Sequence, residues 1–255
     1  MSKSSENSSL TEQIDQSKKD ISFKEKTQKY FESSIDSSLE KLNNFSKYVP
    51  RQTLTNFLTK YELFKLIQNV HGSIVECGVY KGQGLLTWAK LSSILEPYNH
   101  QRRIFGFDTF SGIPSISEKD STSTSQHCHE NGLSFDSFLD ITQAIDLYDS
   151  NRCVGHIPKV ELIKGDILET VPNFIEKNPH ILVSLLYLDA VVYKPTITAL
   201  EHFVPKMPKG SIIAFDELNS PLWPGESIAV HEFFKVNEIE IQRINFSSAI
   251  SYAVL

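Results

Sequence analysis

Val183-Ser184-Leu185-Leu186-Tyr187-Leu188 runs straight into Asp189, and Ser211-Ile212-Ile213-Ala214-Phe215 runs straight into Asp216-Glu217. Short, almost wholly apolar runs of this kind read as parallel strands buried on both faces. In an open α/β sheet, ligands sit beyond the carboxyl ends of the strands. Carboxylates gathered there repel one another and lose hydration unless a cation or a hydrogen-bond network compensates them. These two strand ends are the first place to look for chemistry.

Working outward, Ser73–Cys77 gives a first strand and Arg103–Phe107, closing on Asp108, a second. Val160–Lys164, followed by Gly165-Asp166, gives a third, and the two quoted runs are the fourth and fifth. Helical patterns separate them: Leu85 to Leu91, 135–148, 167–177 and 196–203. Alternation of this sort over 73–216 predicts a parallel, doubly wound α/β sheet. A helix near 228–234 and two alternating segments, Ile239–Phe246 and Ala249–Leu255, close the chain as an antiparallel hairpin around a Ser-Ser turn. Residues 109–133 are polar and read as a long structureless connection, of the kind used as a lid or binding loop.

Toward the N-terminus, residues 1–22 offer almost nothing to bury and read as a disordered tail. Residues 23–70 read as a helical cap: one helix over Phe23–Lys47, a break at Pro50, then an amphipathic helix carrying Leu54, Phe57, Tyr61 and Phe64. Residues 71–255 form the main domain. A formal charge of −6 without a basic run argues against nucleic acid. No apolar stretch is long enough to span a bilayer, and the three cysteines, Cys77, Cys128 and Cys153, lack metal or disulfide spacing. These features suit a cytoplasmic protein.

The turn after the first strand, Glu76-Cys77-Gly78-Val79-Tyr80-Lys81-Gly82-Gln83-Gly84, opens a helix in a nucleotide-binding context. Its glycine spacing fits neither the dinucleotide fingerprint nor a P-loop, which leaves a nicotinamide oxidoreductase as the weakest reading. Glu76 would repel a phosphate but suits a cationic ligand such as S-adenosylmethionine. Asp108 is then placed to accept from the ribose hydroxyls, and Asp166 from the adenine amine. A tight strand-to-helix turn alone would explain Gly78, Gly82 and Gly84, but not the acids at successive strand ends.

Ser73–Gly84, with Gly106-Phe107-Asp108-Thr109-Phe110-Ser111-Gly112-Ile113-Pro114, Leu186-Tyr187-Leu188-Asp189 and Ile213-Ala214-Phe215-Asp216-Glu217, resembles the macrocin O-methyltransferase family from about Pro50 to the end. The resemblance implies a class I methyltransferase (Rossmann-like) fold, a seven-stranded sheet with an antiparallel last strand. It also implies S-adenosylmethionine- and Mg²⁺-dependent methylation of a sugar hydroxyl, with a deoxyhexose or sugar nucleotide as acceptor. The matching metal positions are Asp189, Asp216 and Glu217, an all-oxygen set that suits Mg²⁺ better than zinc. Asp189 is thereby a catalytic residue too, and His127 matches a histidine of the family and is the candidate base. His129 and Lys194 are weaker candidates, and Trp223 suits either a sugar platform or a packing anchor. One departure is Val191, where the family pattern Leu-Asp-x-Asp carries a second acid. It keeps alive a catalytically weakened homologue, beside a catechol-like acceptor as the other alternative. Homo-oligomerisation is left open.

Overall fold

The computed structural model describes residues 18–247 and 249–255. They fall into two compact units that part between Leu54 and Thr55. Of the expected tail, residues 1–17 lie outside the described set, and helix α1 (Lys18–Ser33) already includes its last residues. The single helix expected over Phe23–Lys47 is instead α1 followed by α2 (Ser38–Asn43) and a 3₁₀ turn at Phe45–Lys47. The break is written in Ser37-x-x-Glu40, a capping box in which each residue's side chain takes the other's backbone N–H. Tyr48 pins the break from outside by donating to Asp36 Oδ2 at 2.6 Å.

The second unit holds a seven-stranded sheet in the order β3-β2-β1-β4-β5-β7-β6. Its strands are β1 (Ser73–Cys77), β2 (Ile104–Asp108), β3 (Val160–Lys164), β4 (Val183–Leu188), β5 (Ile212–Phe215), β6 (Ile241–Arg243) and β7 (Ser251–Val254). The first five are parallel, and β7 runs antiparallel between β5 and β6. The hairpin is therefore present, with its last strand inserted against β5 and part of its turn, Ser248, outside the described residues.

Helices α3 (Arg51–Ile67), α4 (Gln83–Leu95), α5 (Phe138–Ser150), α6 (Ile167–Lys177), α7 (Tyr193–Phe203) and α8 (Pro224–Phe233) complete the chain. Period-two alternation sorts the strand residues between two cores. Ile74, Leu185, Tyr187 and Ala214 face α3, α4 and α5, while Val75, Cys77, Leu186 and Phe215 face α6, α7 and α8. Buried Arg102 fastens α3 to the amino ends of the strands. Its guanidinium donates to Ile67 O (3.1 Å) at the helix end, to Val70 O (3.0 Å) just beyond it and to Gly72 O (2.9 Å). Among the described residues no helix is long and apolar enough to cross a membrane.

Candidate active site

The sheet reverses its winding between β1 and β4, so the carboxyl ends of these two strands form the mouth of the switch point. Asp189 N donates to Cys77 O at 2.8 Å, which binds the two ends together. Gly78 turns there with φ +93°, and a Cβ on it would lie 2.1 Å from the Asp189 carbonyl oxygen. Only glycine lets the turn pass this close. Gly82, with φ +81°, starts α4.

Glu76 follows the alternation of β1 onto the α4 side and is only 2% exposed. Its Oε2 accepts from Trp88 Nε1 at 2.6 Å, and its carboxyl also takes the Leu85 backbone N–H. Burial pushes its pKa up to about 7, against the opposing pull of the Lys60 ammonium and the Trp88 bond. Gly84 is needed here for space, since a Cβ would lie 2.4 Å from Glu76 Oε1. Asp108 accepts three backbone N–H groups: Val79 (2.7 Å) and Tyr80 (2.8 Å) on Oδ2, and Phe110 (2.7 Å) on Oδ1. It clamps the glycine turn to the loop after β2. Asp166 is the N-cap of α6, accepting from Leu168 N at 3.0 Å.

The carboxylates of β4 and β5 sit in a different setting. Tyr187, 1% exposed, donates its hydroxyl to Asp216 Oδ1 at 2.5 Å. Burial, then the Asp216 and Asp189 charges, hold that phenol well above its ordinary range and so neutral. Burial of its carboxyl, then Asp216, also raises Asp189 well above the usual carboxylate range, and Lys60 pulls the other way. Lys60 is 2% exposed, with Nζ 4.0 Å over the Tyr187 ring and 3.2 Å from Asn56 Oδ1. Glu226, fully buried, accepts from Glu217 N at 3.0 Å through Oε1, while Oε2 has no hydrogen-bond partner. Burial and the Asp216 and Glu217 charges hold its pKa well above normal. Among the described residues no group of three or more His, Cys, Asp or Glu side chains is arranged so that it could hold a metal ion as it stands.

Asp189 and Asp216 thus act on one another, with Glu217 next along the chain and the Glu76 charge adding to the upward push on Asp189. His127 is half-buried and its ring meets Gln126 Nε2 at 3.5 Å; His129 is exposed and bonds its neighbour's carbonyl. Lys194 is exposed. Trp223, 5% exposed, packs with Ile113, Val192 and Val191, which makes it an anchor for the 109–133 loop. That loop departs from the structureless expectation. A 3₁₀ turn at Glu118–Asp120 orders it, and Ser123 Oγ donates to Leu222 O at 2.5 Å. Val191 sits at φ +57°, a strained setting for a β-branched residue.

Lys60, Tyr187 and Glu226 went unassigned in the sequence, yet two of them left a signal. Lys60, Leu63, Phe64 and Ile67 share one helical face, as do Glu226, Ala229, Val230 and Phe233. A single charge inside an apolar row marks a buried ion whose partner lies elsewhere in the fold.

A parallel sheet with an antiparallel penultimate strand, a glycine turn at β1 and acids at the strand ends define a class I methyltransferase fold. The chain matches the family macrocin O-methyltransferase (TylF) over residues 17–250 and belongs to it. It is accordingly an S-adenosylmethionine-dependent O-methyltransferase. Two solved structures of CalS11 are similar. One, a calicheamicin methyltransferase, shares 31% identity with TM-score 0.89, covering 94% of this chain and 93% of that one. The other, an apo form described as a TDP-rhamnose 3′-O-methyltransferase of calicheamicin biosynthesis, shares 30% with TM-score 0.81, covering 94% and 95%. The O-methyltransferase NovP shares the fold at 20% identity and TM-score 0.63, with 79% of each chain covered. Among curated protein sequences no relative matches the chain.

Proposed function

We propose that this enzyme methylates a hydroxyl of a nucleotide-linked deoxyhexose, with a divalent cation, Mg²⁺, held by Asp189, Asp216 and Glu217. The observation that carries the cation is an imbalance of charge. Asp189, Asp216 and Glu217 stand at the ends of β4 and β5, their charges and that of Glu76 act on Asp189 or Glu226, and the buried Lys60 ammonium opposes them at Asp189 and Glu76. Every donor there is an oxygen, and Glu226 Oε2 is an orphaned one. This chemistry fits a hard cation, which needs only a few carboxylates beside water and substrate oxygens. The acceptor class is supported by CalS11, whose described substrate is TDP-rhamnose.

When bound, S-adenosylmethionine supplies an activated methyl group and Mg²⁺ acidifies and orients a hydroxyl. The Gly78–Gly84 turn would let its backbone approach the methyl donor, and Asp108 and Asp166 would each keep acceptor capacity for the ribose and the adenine amine. Glu76, when ionised, would add negative potential at the end of β1, which suits a cationic cofactor. Tyr187 holds Asp216 through its hydroxyl, the Lys60 charge offsets part of the repulsion on Asp189, and His127 would take the proton that leaves the acceptor hydroxyl. The test is transfer of labelled methyl groups to a panel of TDP-deoxyhexoses, free sugars and catechols. Methylation of a sugar nucleotide is expected; methylation of catechols alone, or cofactor binding without turnover on any acceptor, contradicts the reading.

A further inference from the structure

We propose that Glu226 belongs to the same cation centre and offers Oε2 as a further oxygen donor beside Asp216 and Glu217. The inference rests on the cation-dependent reading above and extends it to a residue outside the strand ends. Helix α8 begins Trp223-Pro224-Gly225-Glu226, with proline in its first turn where a missing N–H costs nothing. Gly225 packs so closely that a Cβ would lie 2.0 Å from Asp120 Oδ1 and 2.4 Å from Tyr193 N. That contact fixes the start of the helix and leaves the next residue pointing into the interior, where Glu226 is 0% exposed.

One of its oxygens is spoken for. Oε1 accepts the Glu217 N–H at 3.0 Å, so the carboxyl sits at the turn that leaves β5. The other oxygen is buried with no partner. Leaving such a group unsatisfied costs more than never burying it. The charges acting on it, Asp216 and Glu217, are both negative. A buried oxygen without a partner, in a carboxyl bonded to the turn that carries Glu217 and acted on by the Asp216 and Glu217 charges, is satisfied best by a cation. A purely structural role, the acid of a first helical turn favoured by the dipole, explains Oε1 but leaves Oε2 without purpose.

The two roles separate in Glu226→Gln. Glutamine keeps an Oε1 to accept from Glu217 N and removes the charge, so the turn is preserved. Wild-type and variant enzymes are titrated with Mg²⁺ by calorimetry in the presence of S-adenosylhomocysteine, and their melting is followed with Mg²⁺ or chelator. The expected result is at least about a tenfold loss of Mg²⁺ affinity and a smaller Mg²⁺-induced rise in Tm, with no loss of Tm in chelator. Equal affinity in the two proteins overturns the Glu226 assignment alone. Absence of cation binding in the wild type overturns it together with the reading it rests on. If the variant does not fold, Mn²⁺ soaked into wild-type crystals decides: an anomalous peak against Oε2 supports the assignment, and a peak remote from Glu226 refutes it.

Discussion

The carboxylates at β1, β2 and β3 and those at β4 and β5 share one edge of the sheet but are treated oppositely by the fold. Asp108 accepts three backbone N–H groups, Asp166 caps a helix, and Glu76 holds Trp88 and the start of α4. On the other side the acids press on one another, Asp189 and Glu226 are driven upward in pKa, and one Glu226 oxygen goes unbonded. Asp108 and Asp166 are stabilised by backbone N–H groups, whereas Glu76, though bonded to Trp88, is still raised in pKa by burial; together they shape the cradle. The second group stores repulsion that a bound cation would relieve. Substitutions should therefore act as structural lesions on one side and as ligand lesions on the other.

The largest effect is expected from Asp189→Asn. It removes a charge from the crowded half, so kcat/KM should fall by about a thousandfold, a loss of several kcal/mol of charge stabilisation. Tm in chelator should hold or rise, since a strained buried charge is gone. On the cradle side the pattern inverts. Asp108→Ala cuts three charge-assisted backbone bonds, and a loss of about 3 kcal/mol in unfolding free energy is expected by denaturant titration. Added Mg²⁺ should not restore it. If the stability losses of these two variants were alike, the division between the halves would fail.

Gly84→Ala probes the same cradle more gently. Its Cβ would meet Glu76 Oε1 at 2.4 Å, so a loss of about 1–3 kcal/mol is expected from overpacking. Gly84→Ala combined with Glu76→Gln should lose nearly as much, because the obstacle is steric. The smallest effect is one of pH. Glu76 has a folded pKa near 7 against an ordinary 4.5, so the folded state binds its proton more tightly than the unfolded chain. The group therefore costs nothing below about pH 4.5, and its cost to stability grows as pH rises from 4.5 through 7. Glu76→Gln should flatten that part of the stability profile; an unchanged slope would mean the carboxylate is better solvated than its burial implies.

The same contrast explains what could be read in the sequence. Strand ends were legible because apolar runs stop where the sheet meets ligand or solvent: β1 and β3 fall on Ser73–Cys77 and Val160–Lys164, as the patterning predicts. The acids that follow were legible for the same reason. Their division of labour was not, because it depends on which backbone N–H groups the tertiary fold delivers to each. Asp108 gains its clamp from residues 28 and 29 positions away in the chain, a pairing no local pattern encodes. Gly84 looks like a turn glycine, yet the need for it comes from the Glu76 side chain. Lys60 and Glu226 were readable as charges set in apolar helical rows. Their targets, Tyr187 on β4 and the Glu217 turn nine residues before Glu226, are set by the tertiary fold. Val191 reads as a missing acid, and in the fold it joins the apolar cluster of Ile113, Val192 and Trp223.

The central claim is that the β4–β5 corner needs a cation for chemistry whereas the β1–β3 cradle binds the methyl donor without one. Methyl transfer from labelled S-adenosylmethionine to a TDP-deoxyhexose, measured beside calorimetric cofactor binding with and without chelator, tests it directly. The account predicts that chelator abolishes transfer, that Mg²⁺ restores it in the wild type but not in Asp189→Asn, and that cofactor affinity changes little throughout. Transfer indifferent to both chelator and Asp189→Asn would contradict it.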